Sequence, residues 1–296
     1  MKKILVFGAN GYLARNLVFV LKRDHPDFSL TLYGCEESSI DGHDNYFRVD
    51  MTDITSVNNV DLCCDVIFMF VGKTGTEKGF YDYDSFINVN EKSLLNLLLT
   101  YQKQKSQARI VFPSTRLIYK GKPKLLKETS KKEFKTIYAI NKFACEKYLE
   151  QYHSIFNIQY SIFRICLPYG TLVPNASSYG TVEFMISKAN NGEDIILYGN
   201  GKAKRTLTHI EDLCKTLIAG SISKKCANDV FNIGGEEYSL SEIANLISIK
   251  YGVNVKCVPW PKISLKIESG NTVFDSTKLD KKIGSFINHK FSDWLN

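Results

Sequence analysis

Short apolar runs alternate with longer amphipathic stretches through the first half of the chain. Residues 3–7, 28–33, 46–49, 66–71, 108–112 and 159–165 form runs of strand length. Those at 3–7 and 66–71 are almost continuously apolar, as strands covered on both faces are. Between them, 12–23, 86–103 and 137–156 carry the 3.6-residue periodicity of helices. This alternation predicts an α/β fold, a doubly wound and mostly parallel sheet of Rossmann type with helices on both faces. Right-handed crossovers place a ligand at the carboxyl ends of such strands.

Beyond Gly170 the texture changes. Segments become shorter and richer in Gly, Asn and Ser, at 175–180, 190–192 and 199–201. Helical patterns recur at 181–189, 210–221 and 239–251. Ser239 is placed as an N-cap, with Glu242 completing a capping box. The expected organisation is a dinucleotide-binding domain over 1–168. A smaller lobe over 169–296, mainly substrate-binding, is interwoven with the last sheet strands.

The 296 residues suffice for one large α/β domain plus an appendage, and the 44% apolar content suits a packed core. The net charge of +7 is spread over Lys-rich loops, as on a solvated exterior. No arginine-rich helix or zinc knuckle points to a nucleic-acid partner. The eight cysteines form no C-x-x-C pair and no histidine stands at metal-ligand spacing, so reduced thiols and no metal are expected. The apolar run after Met1-Lys2-Lys3 is too short for a leader, and 65–71 is too short to cross a bilayer. A cytoplasmic protein without a membrane partner is the expectation.

The sequence Gly8-x-x-Gly11-x-x-Ala14 falls between the first strand and the first helix. Gly8 permits the tight turn, Gly11 lets backbone approach a phosphate, and Ala14 lets helix pack on strand. The N–H groups of Tyr12 and Leu13 then face a pyrophosphate at the helix N-terminus. The second strand runs out through Leu32-Tyr33-Gly34-Cys35-Glu36 without an acid at its end, and Glu36 comes late for a ribose. NAD or NADP is left open. Asp50, with Met51 beside it, follows the third strand, placed either to accept from an adenine amino group or to cap the next helix.

Two further features bear on chemistry. Ser114 and Thr115 close the fifth strand, and Tyr138 and Lys142 stand one turn apart on the next helix. A phenol beside an ammonium is a proton donor and acceptor tuned toward neutrality. The ordered set of these motifs with Arg164-x-x-x-Pro168-Tyr169-Gly170, Tyr198-Gly199-Asn200-Gly201-x-x-x-Arg205 and Glu211-Asp212 resembles the extended short-chain dehydrogenase/reductase family of sugar-nucleotide epimerases, dehydratases and ketoreductases. The resemblance implies an NAD(P)-dependent enzyme acting on a nucleotide-sugar, with Tyr138 as the acid/base. It implies that Lys142 binds the nicotinamide ribose and lowers the tyrosine pKa. Thr115 shares the hydrogen bond at the reacting oxygen, with Ser114 as its neighbour candidate. By the same resemblance, Pro168 is expected to line the cofactor site and Arg205 to clamp the diphosphate. Asp212 is expected to order a loop or cap a helix, and Tyr119, Tyr148 and Tyr152 to pack. A homodimer through the helices after the fourth and fifth strands is also implied.

Two departures narrow the reaction. Dehydratases of this family carry an Asp-Glu pair after the hydroxyl residue, where this chain has Arg116 and Leu117. Leucine moves no proton, which argues against dehydration. Leu167 stands where many epimerases have asparagine. These features, with the missing ribose acid, favour a 4-ketoreductase of a deoxy-sugar nucleotide. A 4-epimerase comes next, and a non-catalytic cofactor-binding regulator third.

Overall fold

The computed structural model describes every residue of 1–296 except Ser177 and Tyr179, which belong to the Asn/Ser-rich stretch at 175–180. Strand β1 (Lys3–Phe7) leads into helix α1 (Tyr12–Asp24), then β2 (Ser29–Gly34) and β3 (Tyr46–Arg48). After the short α2 (Ile54–Asn58) come β4 (Val66–Met69), α3 (Tyr83–Ile87), α4 (Ser93–Gln104), β5 (Arg109–Thr115), α5 (Ile137–Phe156) and β6 (Gln159–Ile165). The second half adds β7 (Leu167–Tyr169), α6 (Thr181–Asn190), β8 (Ile195–Tyr198), β9 (Lys204–His209), α7 (Ile210–Ile222), β10 (Asp229–Asn232), β11 (Glu236–Ser239), α8 (Leu240–Tyr251) and β12 (Val255–Val258).

Seven strands form one parallel sheet in the order β10-β6-β5-β4-β1-β2-β3. The order reverses between β1 and β4, and at such a switch point the connecting segments part and leave a crevice. One apolar cluster joins α1 and α7 to one face, around Leu17, Leu21, Leu213 and Leu217. A second joins α4 and α5 to the other, around Leu97, Leu98, Cys145 and Leu149. A third builds the small lobe from β7, β8, α6 and α8. There β11 and β7 flank β9, and β12 pairs with β8. No helix among the described residues is long and apolar enough to cross a membrane.

Local signals explain most boundaries. Thr136 caps α5 by accepting from Ala139 N–H, and Asn157 ends it in the left-handed region at φ 57°. Ser239 and Glu242 form the expected capping box on α8. Two elements differ from expectation. The helix expected over 86–103 is interrupted by a π-helical turn, Asn88–Lys92, between α3 and α4. Strand β5 does not stop before Pro113. It stays in register with β6 through Ser114↔Arg164 and Thr115↔Ile165, which carries both hydroxyls to the sheet's carboxyl edge.

Beneath that edge lies a buried polar network. Arg164 donates to both oxygens of Glu146, at 2.9 and 2.6 Å, and Ser114 donates to Glu146 as well. Arg164 also meets the Tyr119 hydroxyl, which donates to Asn232 on β10. A buried ion pair of this kind holds only because its remaining donors are used, here by Tyr119 and the Glu128 carbonyl. It ties β5, β6, α5 and β10 together directly under the residues that line the crevice.

Candidate active site

The crevice is a trough of three joined cavities. The central one, about 620 Å³, lies above β1, β4 and β5 and is lined by Gly11–Ala14, Ser114–Leu117, Tyr138, Lys142 and Ile165–Pro168. A second, about 270 Å³, joins it across Gly11 and Gly72 and reaches Glu36, Asp50 and Met51 at the ends of β2 and β3. A third, about 320 Å³, joins it at Arg116, Leu117 and Thr181 and enters the small lobe.

The glycine turn forms the floor between the first two. Gly8 sits at φ +76°, and a Cβ there would come within 2.9 Å of the backbone at Phe70 and Val71. Its N–H and that of Ala9 bond the Tyr33 carbonyl at the end of β2. Gly11 is the N-cap of α1, and no side chain caps that helix end. A Cβ on Gly11 would meet only the Gly8 carbonyl, its other sides being open to the cavity. The first-turn N–H groups, including those of Tyr12 and Leu13, are left for an anion. A nicotinamide dinucleotide fits these residues: backbone donors at the pyrophosphate position, with room on both sides. The Tyr12 side chain itself is spent elsewhere, donating to the Gly170 carbonyl at 2.7 Å.

The adenosine end alters one expectation. Strand β2 runs on to Gly34, so Glu36 stands only two residues past it. Its carboxylate turns back toward the glycine turn, accepting from Asn10 Nδ2 at 3.2 Å and Tyr46 Oη at 3.3 Å. Glu36 therefore lines the adenosine-end cavity, although the end of the second strand was expected to supply no acid for the ribose. Asp50 lines it too, with its carboxylate accepting from both Thr52 N–H and Thr52 Oγ1. The cap of α2 is Asp53, so the alternative capping role of Asp50 is not the one seen.

At the centre, Thr115, Tyr138 and Lys142 line one cavity. The Thr115 hydroxyl accepts from Leu117 N–H, which leaves its own proton to donate. It faces the Tyr138 phenol and opposes the effect of burial, which pushes that phenol up to about 12. Lys142 is 5% exposed and lies over the Phe112 ring at 4.5 Å. Burial brings its ammonium down to about 8. The expected lowering of the phenol by Lys142 is therefore not what this structure carries; the opposing group is Thr115. Lys142 projects instead toward Gly72 and Asn90.

Two expected substrate residues are committed elsewhere. Ser114 Oγ belongs to the Glu146–Arg164 network, which leaves Thr115 as the free hydroxyl. Arg205 is 1% exposed and lines none of the three cavities. Its guanidinium holds Glu268 at 2.7 Å and the carbonyls of Gly270 and Lys204, so the fork expected at the diphosphate is already filled. The arginine on the cavity wall is Arg116. Sequence reading noted that position only as a lost acid. It also missed Asn90 in the π-helical turn, whose side chain bonds both the N–H and the carbonyl of Lys73 and so fixes the loop after β4. Asn90 stands among polar neighbours, Asn88 and Glu91-Lys92-Ser93, so nothing in the sequence singled it out.

Asp212 behaves as expected, accepting from the backbone of Asn288 and His289 and from His289 Nδ1. His209, Glu211 and His289 bring ligand atoms within 4.8 Å of one another. The two imidazoles stack at 4.1 Å and 24°, so their in-plane lone pairs run side by side rather than converging on an ion. Glu211 also holds Arg23 and Lys215.

Fold and trough together define a dinucleotide-binding protein of the Rossmann type. The chain belongs to the NAD-dependent epimerase/dehydratase family, whose model matches residues 4–234. It is thus an NAD(P)-dependent enzyme of the extended short-chain dehydrogenase/reductase type. It is 26% identical over 257 residues to a UDP-N-acetyl-alpha-D-glucosaminuronate decarboxylase of Bacillus cytotoxicus, covering 82% of this chain and 78% of that protein. Its fold matches Pal from Bacillus thuringiensis with a TM-score of 0.88 at 20% identity, over 99% of this chain and 96% of that one. It likewise matches the UDP-glucose 4-epimerase of Thermus thermophilus in complex with NAD, with a TM-score of 0.86, 20% identity and the same coverages.

Two outcomes follow from this geometry. Gly11→Val is expected to keep the fold but abolish dinucleotide binding, whereas Gly8→Val collapses it. Thermal melts and a fluorescence titration with NADH check both; a Gly11→Val protein that still binds NADH contradicts the cradle. For Lys142→Met the sign is set by burial. The folded chain releases this proton near 8 and the unfolded chain near 10.5. Folding is therefore penalised fully below about pH 8, and stability rises with pH from there to about 10.5, by up to ~1.4 kcal/mol per unit. The methionine variant should melt higher than the parent at pH 7, and its advantage should shrink toward pH 10. A lower melting temperature at pH 7 counts against the penalty.

Proposed function

We propose that the protein is a nucleotide-sugar 4-epimerase that oxidises and re-reduces one sugar carbon with a retained NAD. One observation carries this reading. Among the described residues lining the central cavity there is no carboxylate and no histidine, and Tyr138 is the side chain suited to proton exchange with a sugar hydroxyl. A 4,6-elimination needs an acid and a base in addition, and Leu117 supplies neither.

In this scheme Tyr138 accepts the proton of the C4 hydroxyl as the hydride leaves C4, and Thr115 donates to the same oxygen. When the keto sugar has presented its other face, Tyr138 returns the proton to the oxygen as the hydride comes back to C4. A bound NAD supplies the hydride acceptor and, as a cationic pyridinium, a charge that lowers the phenol pKa. Lys142 holds the nicotinamide ribose, and Asn90 keeps the backbone beside it in place. Glu36 favours NAD, since a carboxylate at the adenosine ribose accepts from its hydroxyls and repels a 2′-phosphate. That weakens the earlier preference for a reductase that exchanges its cofactor.

The third cavity suits the nucleotide. Its walls include Phe184, Tyr198 and Trp260, aromatic faces on which a base can stack. The diphosphate then lies at the N-terminus of α6, whose N-cap Gly180 has no side-chain cap and lines the central cavity with Thr181.

Purified protein should release NAD(H) on denaturation and interconvert 4-epimeric nucleotide hexoses without added cofactor. Tyr138→Phe should lower turnover by ~10²–10⁴-fold with the dinucleotide still bound. Stoichiometric loss of added NADH on a 4-keto sugar, from an apo preparation, would identify a reductase instead. Unchanged turnover in Tyr138→Phe would end both readings and revive the non-catalytic regulator.

Oligomeric state has its own surface. Ile87, Leu99, Ile140, Ile155 and Phe156 are exposed on α3, α4 and α5, whose facing sides are joined by Glu91 to Asn141 and Tyr148. We propose that a second copy covers this face. Light scattering should give twice the chain mass, and Ile140→Glu with Ile155→Glu should give the monomer.

A further inference from the structure

We propose that Arg116 reads a carboxylate on the sugar, so that the preferred substrate is a nucleotide hexuronate rather than a neutral hexose. This rests on the epimerase reading of the same site and deepens it.

Arg116 is an exception among the arginines. Arg15, Arg23, Arg48, Arg164 and Arg205 each hold a carboxylate at 2.6 or 2.7 Å. Arg109 donates to the backbone carbonyls of Gly220, Ser221 and Ser223. Arg116 has neither kind of partner among the described residues. Its Nη1 donates to two neutral hydroxyls, Ser269 Oγ at 3.1 Å and Thr272 Oγ1 at 3.4 Å. Nε and Nη2 have no hydrogen-bond partner among the described residues. Such a guanidinium in a half-buried wall is a charge that no carboxylate pairs directly, Glu268 acting on it only through space, with part of its planar fork unspent.

Its position decides what fills that fork. Arg116 directly follows Thr115, which faces Tyr138 and so marks the reacting carbon. It lines the central cavity and its junction with the nucleotide cavity. Glu77, Lys188 and Glu268 line the nucleotide cavity with Arg116. Glu268 is already taken by Arg205 and Gly270 N–H, Lys188 is held by Glu193, and Glu77 makes no ion pair or hydrogen bond with Arg116 among the described residues. Lys142 lies over the Phe112 ring, toward Gly72, and lines the central cavity but not the nucleotide cavity. The diphosphate has its own donors at the N-terminus of α6. What remains beside the reacting carbon is the substituent on the neighbouring ring carbon. A hydroxymethyl group there leaves the charge unpaired, whereas a carboxylate matches the fork with two parallel hydrogen bonds.

Burial and the nearby Arg205 guanidinium lower the proton affinity of Arg116 to about 10. It is still a full cation at neutral pH, and the site therefore favours an anion over its neutral isostere throughout the working range.

The test uses the full protein with its bound dinucleotide and matched pairs: UDP-glucuronate with UDP-glucose, and the corresponding dTDP sugars. Turnover is followed by product separation, and binding by calorimetry in the Tyr138→Phe protein. The parent should prefer the carboxylate-bearing member on at least one nucleotide by about 30-fold or more. Arg116→Leu should remove that preference by weakening the uronate ~30- to 10³-fold while leaving the neutral sugar and the free nucleotide within about threefold. Arg116→Lys, which keeps the charge without the fork, should fall between and serves if the leucine variant does not fold. Equal handling of both sugars by the parent overturns the inference. So does an equal loss for both sugars and free UDP in Arg116→Leu, which would mark a diphosphate contact. Failure of the epimerase reading is separate: binding preference for the uronate then persists while no sugar is interconverted.

Discussion

The close approach of the first glycine turn to the end of β4 is the constraint on which the rest of the site depends. Gly8 must be left-handed, and its α-carbon leaves no room for a side chain against Phe70 and Val71. Its N–H is tied to β2 through Tyr33. Three neighbouring strands are thereby locked at their carboxyl ends, and α1 starts at a fixed point with its N-terminal donors uncovered. The reversal of strand order between β1 and β4 turns that lock into a crevice rather than a packed edge. Thr115, Tyr138 and Lys142 reach this crevice from β5 and α5, and the polar network under Ser114 keeps those two elements in register with each other.

The walls so assembled are cationic. Lys142 and Arg116 line the centre, and no described carboxylate answers either of them there. A core optimised only for stability would not hold a lysine beneath an aromatic ring with its proton affinity reduced. Charges of this kind are tolerated where ligand binding recovers their cost, and they cluster at functional sites. Glu36 and Asp50 sit at the far adenosine end, outside the central cavity. The trough is thus acidic at one end, cationic at its centre and mixed in the third cavity, where Glu77 and Glu268 stand with Arg116 and Lys188.

The parts legible in the sequence were those whose cause is local. Strands β1 and β4, helices α1 and α5, and the capping box on α8 each follow from a continuous pattern and its own terminating residue. The glycine turn was legible because its meaning depends only on the strand before it and the helix after it. What escaped depends on distant partners. Ser114 and Thr115 are alike in sequence, and only the arrival of Glu146 from α5, 32 residues later, removes one of them. Arg205 carries the right side chain for a phosphate clamp, yet Glu268 lies 63 residues on and claims it. The short strands β7 to β12, three to six residues each, exist because neighbours pair them and not because of any run of their own. Glu36 escapes the sequence pattern because β2 runs to Gly34, one residue beyond its apolar run. One residue changes whether a carboxylate faces the turn or passes it.

The commitment of Arg205 and the presence of Arg116 are better understood together than apart. Two unpaired guanidiniums this close would repel each other and would need two anions; burial and mutual repulsion already lower Arg116. Tying Arg205 to Glu268 neutralises one of them and also pins the loop carrying Ser269 and Gly270 against β9. Ser269 and Thr272 on that loop then hold Arg116 by one nitrogen, so its remaining edge is aimed rather than free to swing. A guanidinium fixed in this way discriminates by shape as well as charge, because only a planar two-oxygen group satisfies both of its parallel donors. The exchange of an acid for arginine after Thr115 therefore does more than remove an elimination reaction. It converts the place where a proton would have been moved into one where a negative charge can be recognised.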